Sequence, residues 1–61
     1  MTFGEKCKKV RATLLLTQRE FAKEIGATYA TVARWETGKA IPQYNKQRDF
    51  YAFCKKHKIE F

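Results

Sequence analysis

Few side chains in this sequence can do covalent chemistry, and their spacing argues against it. The single histidine, His57, follows Cys54 by three positions, which sets the two side by side on a helix. A zinc site, however, wants four ligands. No glycine-rich loop is present to cradle phosphates, and no two carboxylates are paired for general acid and base work. The chain is therefore expected not to be an enzyme, with no catalytic residue, metal or cofactor. Non-covalent recognition remains. The 13 Lys and Arg against 6 Asp and Glu leave a formal charge of +7, and so dense a positive charge draws polyanions such as nucleic acid or an anionic membrane face. An arginine among these cations, such as Arg34, carries the planar fork that fits guanine O6 and N7.

Such side chains need a scaffold, and 61 residues leave room for one domain, 1–61, that buries only roughly 60% of its unfolded surface. With 44% hydrophobic residues, a single Pro and 3 Gly, the composition is globular rather than disordered. No apolar run approaches the roughly 18 residues of a spanning helix. Residues 1–30 lack the apolar stretch of a signal peptide. A cytoplasmic protein is expected, with Cys7 and Cys54 as reduced, buried thiols.

Phe3, Cys7, Val10 and Leu14 recur at spacings of four, three and four, which predicts a first helix from about Phe3 to Thr13. Thr17-Gln18-Arg19-Glu20 fits a capping box and starts a second. Phe21, Ala22 and Ile25 form its apolar stripe, and Gly26 supplies the residue that takes positive φ past its end. Thr28 is a suitable N-cap for a third helix through Tyr29, Val32 and Trp35, closed by Gly38. Ala40-Ile41-Pro42 reads as a loop. A fourth helix runs from about 43 to 58, with Phe50, Phe53 and Cys54 on one face, and Ile59-Glu60-Phe61 is a tail without an assigned conformation.

Two helices joined by a tight turn containing Gly make a helix-turn-helix, here at about 17–38. Ala22 is small where the helices cross, Gly26 makes the bend, and Val32 and Trp35 anchor the second helix from inside. With these, the opening Gln18 and the ending Glu36-Thr37-Gly38-Lys39 before Pro42, the stretch resembles the helix-turn-helix of the lambda-repressor and Cro family, also called the xenobiotic-response-element family. Through Val10, Arg11 and Leu14 the resemblance extends over roughly residues 3 to 54. It implies an all-α fold, a compact bundle of four or five short helices. It also implies an ion pair between Arg11 and Glu36 that fixes the third helix; breaking a buried pair of this kind costs about 3–5 kcal/mol.

The function implied is sequence-specific binding of double-stranded DNA by a transcriptional repressor whose helix 28–37 enters the major groove. With Val32 and Trp35 inward, periodicity turns Thr28, Tyr29, Ala30, Thr31 and Arg34 toward the bases; the family reads base edges at the positions matching Tyr29, Ala30 and Arg34. Phosphate anchoring is expected from Gln18 at a helix N-terminus, from Thr37 and Lys39, and, by resemblance, from Tyr44, Asn45 and Lys46. The family commonly binds as a homodimer on a near-palindromic site, here expected through the fourth helix and an exposed Ile59 and Phe61. Two other readings stand beside this one. One is an antitoxin that uses the same domain with a toxin or effector protein as partner. The other is a basic docking module, in which the stretch from Arg48 to Phe61 meets a membrane or a protein.

Overall fold

Threonine hydroxyls start most of the helices. In the computed structural model, which describes residues 1–61, these are α1 (Phe3–Leu14), α2 (Gln18–Glu24), α3 (Tyr29–Glu36) and α4 (Tyr44–Lys56), with no strand. Thr2, Thr17 and Thr28 each sit in extended backbone and accept from the amide three residues on. At Thr2 and Thr17 the box is complete, because Glu5 and Glu20 reach back to the cap amide. Two otherwise unmet amides are thereby satisfied at each start. Helix α4 begins at Gln43 without a side-chain cap.

All the helices close in the same way. The amides of Leu16, Ala27, Lys39 and Ile59 reach back to the carbonyls of Arg11, Ala22, Arg34 and Cys54, and each preceding residue bonds the carbonyl three positions before it. This double bond defines the Schellman ending, which needs a left-handed residue at its centre. Gly26 (φ 70°) and Gly38 (φ 78°) fill that role for α2 and α3, whereas α1 and α4 use Leu15 and Lys58, both at φ 57°. α1 runs one residue beyond the expected Thr13, and α4 starts and ends slightly inside the expected 43–58.

The core is a single cluster of ten buried residues drawn from every helix, among them Cys7, Val10, Phe21, Val32, Trp35 and Phe50. Aromatic edges join its parts: Phe3 meets Trp35 at 5.5 Å and Phe50 at 4.7 Å, and Phe21 meets Phe53 at 5.9 Å. α1 lies against the end of α3 so closely that a Cβ on Gly4 would run into the Trp35 carbonyl oxygen. Cys7 and Cys54 are free thiols within this core, and burial pushes the Cys7 thiol up to about 12. It stays protonated and inert as a nucleophile.

Of the two tail residues expected to be exposed, Phe61 is and Ile59 is not. Ile59 is half-buried against the core, because the Schellman ending of α4 turns it inward. Phe61 stacks on Phe50 at 6.1 Å and lies beneath the ammonium groups of Lys6 and Lys9, with Lys9 also holding the Glu60 carbonyl at 2.9 Å. His57 rests on Phe53 at 4.5 Å and remains exposed.

Candidate nucleic-acid interface

The bend between α2 and α3 is fixed from several directions. Gly26 takes the positive φ, the Ala27 amide bonds the Ala22 carbonyl at 2.8 Å, and Ala22, buried, lets the helices approach. The Lys46 ammonium of α4 then clips the turn, donating to the carbonyl oxygens of Ile25 at 3.2 Å and Gly26 at 2.7 Å. A positive charge at the carboxyl end of a helix also favours the helix dipole. Lys46, expected on a phosphate, makes these two bonds within the protein, with Asp49 at 3.7 Å as a further partner.

From this bend α3 presents two distinct faces. Val32 and Trp35 are buried, while Thr28, Tyr29, Ala30 and Arg34 are exposed and Thr31 is half-buried. The hydroxyls of Thr28 and Thr31 are occupied with each other and with the Thr31 amide, at 2.9 and 3.2 Å. Thr28 donates in the first of these bonds, so Thr31, which accepts there, keeps its own O–H to donate, and both threonines offer methyl surface as well. Arg34 makes no ion pair, its guanidinium being free to meet an incoming acceptor. α3 has eight residues, and an α-helix with its side chains is about 10–12 Å across, which fits the roughly 12 Å width of the DNA major groove.

The far end of α3 is tied to α1 and α2 through one carboxylate. Arg11 donates to Glu36 with Nε at 2.6 Å and Nη2 at 2.8 Å, and with Nη1 to the Leu16 carbonyl at 3.3 Å. This forked geometry fits the planar guanidinium and cannot be copied by an ammonium. Gln18 Nε2 adds a third bond to the carboxylate at 3.0 Å. Burial alone would raise the Glu36 carboxyl, but these hydrogen bonds and the Arg11 charge outweigh it and hold the group below the ordinary carboxylate value. The Glu36 side chain keeps only 3% of its surface exposed, against 24% for Arg11.

The network also includes Gln18. Its side-chain amide donates to Glu36, while the main-chain N–H at the start of α2, where a phosphate was expected, lies outside this network. Of the other phosphate candidates, Thr37 donates its hydroxyl to the carbonyls of Ala33 and Arg34, and Asn45 accepts from the Lys46 amide. Lys39 and Tyr44 are exposed. Lys39 sits one residue after the positive-φ Gly38, at the same end of the molecule as the Arg34 carbonyl it bonds.

A residue not singled out from sequence joins this surface. Arg19, in the first turn of α2, lays its guanidinium 4.5 Å from the centre of the Tyr29 ring. Nothing in the type or spacing of Arg19 marks it out, since the pairing depends on how α2 crosses α3. Together with Arg11, Thr17 and Gln18, the pair lines an open cleft between the first turns of the two helices.

A family model described as "Helix-turn-helix" matches residues 8–46, the stretch from the middle of α1 to the start of α4. No curated protein and no solved structure matches the chain. The matched stretch holds the bend at Gly26, the buried Val32 and Trp35 and the Glu36 network, arranged in an all-helical bundle. The chain belongs to the helix-turn-helix family of lambda-repressor and Cro type, a family of sequence-specific DNA-binding domains.

Proposed function

We propose that residues 1–61 form one DNA-binding domain of a transcriptional regulator, a repressor that acts by occupying its operator. The observation that carries this reading is the two-sided character of α3: Val32 and Trp35 are buried while Arg34 stands outward without a partner, on a helix held at both ends. Arg34 reads a guanine through its two-pronged contact, and Tyr29, Ala30 and the methyls of Thr28 and Thr31 line the neighbouring base edges. Lys39, Tyr44, the Asn45 amide and the free N–H groups of Gln18 hold the flanking backbone. Lys46 and the Thr37 hydroxyl shape the surface from behind.

Two copies meet a near-palindromic site with half-sites about one helical turn apart. Tyr51 and Phe61 on the α4 side retain 40% and 47% of their surface for that contact. Light scattering on the protein alone and on its duplex checks this; a monomer in both conditions contradicts it.

Selection of bound sequences from a random duplex pool, followed by titration of variants, tests the reading. Arg34→Ala is expected to cost about 1–3 kcal/mol and to relax discrimination at one base pair, whereas Lys39→Ala weakens all sequences alike and reduces the salt slope by about one. Equal losses on every duplex for Arg34→Ala would make Arg34 a backbone contact and remove the basis for direct readout.

A further inference from the structure

We propose that Arg19 is a positioning residue for base readout, its guanidinium fixing the Tyr29 ring at the start of α3 so that the two side chains act as one reading unit. This rests on the DNA-binding role of α3 and goes beyond it by assigning a specificity function to a side chain of α2. Tyr29 is the first residue of α3 and keeps 44% of its surface exposed, so the packing of α3 does not by itself fix its ring. The one cationic group over that ring is Arg19, at 4.5 Å. Arg19 takes part in no ion pair.

The chemistry of the guanidinium makes this arrangement more than a surface contact. Stacking uses the face of the group and leaves the N–H donors free along its edge, so Arg19 can hold the ring and donate to a backbone phosphate together. A lysine at this position would supply charge without a plane to stack. Closing a duplex over the pair removes water, which strengthens the attraction between cation and ring. The ring then meets the base edge from a fixed direction, which a freely rotating tyrosine would not.

The experiment uses the duplex selected by the wild-type protein and its single-base variants, titrated with Tyr29→Ala, Arg19→Ala, Arg19→Lys and the Arg19→Ala/Tyr29→Ala double variant. Tyr29→Ala is expected to flatten the preference at one base pair by about threefold to tenfold. Both Arg19 variants flatten that same preference, and the double variant is no flatter than Tyr29→Ala. The salt slope falls by about one for Arg19→Ala and stays unchanged for Arg19→Lys. In the free protein, the Arg19 δ-protons carry an upfield ring-current shift that Tyr29→Ala abolishes.

The proposal is overturned if Arg19→Ala lowers the slope and leaves the preference intact, or if the losses from the two single variants add. It is overturned as well if Tyr29→Ala alters no preference. Failure of the underlying DNA-binding reading looks different: the wild-type protein would then enrich no sequence from the pool at all.

Discussion

Glu36 concentrates more of the architecture than any other single side chain. It lies at the end of α3, accepts from Arg11 of α1 and Gln18 of α2, and is nearly out of water. The two partners of the ion pair are not equivalent, because Arg11 is long and partly exposed while Glu36 is enclosed. Removing Glu36 lets the guanidinium swing into solvent; removing Arg11 strands a carboxylate. Either truncation is expected to destabilise by about 3–5 kcal/mol, with Arg11→Ala at the upper end of that range and Glu36→Ala at the lower, compared by chemical denaturation at neutral pH. The reverse order would place the desolvated charge on the wrong partner. The depressed Glu36 carboxyl sets a pH dependence of definite sign. The unfolded chain takes up its proton near the ordinary value of 4.5 and the folded chain only at lower pH, so the stabilisation is present in full above that value and fades as acid is added. Melts of the wild-type protein should decline below about pH 4.5, more steeply than those of Glu36→Gln; parallel curves would mean the carboxyl is not perturbed.

At the scale of elements, the endings of the helices decide the geometry more than their interiors. α2 and α3 end on glycine, but α1 ends on Leu15, at φ 57° and 89% exposed. A side chain there strains the backbone and buries nothing in return. Leu15→Gly is expected to raise stability by about 0.5–1 kcal/mol, roughly 4 °C in Tm; a lower Tm would show that the leucine is packed. Lys46→Met should lower stability by about 1 kcal/mol by freeing the carbonyls of Ile25 and Gly26, and leave the salt dependence of DNA binding unchanged. A slope reduced by about one would return Lys46 to the phosphates. These elements also show what the sequence discloses. The Thr17 and Glu20 box, the bend at Gly26, the Thr28 cap and the inward Val32 and Trp35 are local rules of type and spacing, and all are legible. The box at Thr2 and Glu5 obeys the same rule, although the reading of α1 rested on its apolar stripe alone. The left-handed Leu15 and Lys58 are not, because neither is a residue type that favours positive φ. Nor are the partners of Gln18, Arg19 and Lys46, whose long side chains have several reachable acceptors until the helices are set in space. The inward turn of Ile59 follows from Lys58, and was hidden for the same reason.

Taken whole, the molecule carries its charge of +7 on more than one surface. Arg19, Arg34 and Lys39 lie with α3 and its flanks, whereas Lys6 and Lys9 of α1 gather over Tyr51 and Phe61. Electrostatics alone would accept a polyanion at either place, and the outward face of α3 adds to its charge the unpaired fork of Arg34 on a helix held at both ends. No helix is long and apolar enough to cross a membrane. Backbone and side-chain resonances followed while the selected duplex is added to isotope-labelled protein discriminate the two surfaces most directly. With a duplex cut to a single half-site, which seats one copy only, the shifts are expected to gather on Thr28 to Arg34, on Thr37 to Lys39 and on the Arg19 side chain, with Tyr51 to Phe61 unmoved. Shifts confined to Tyr51 to Phe61 with Arg34 unchanged would contradict a recognition role for α3.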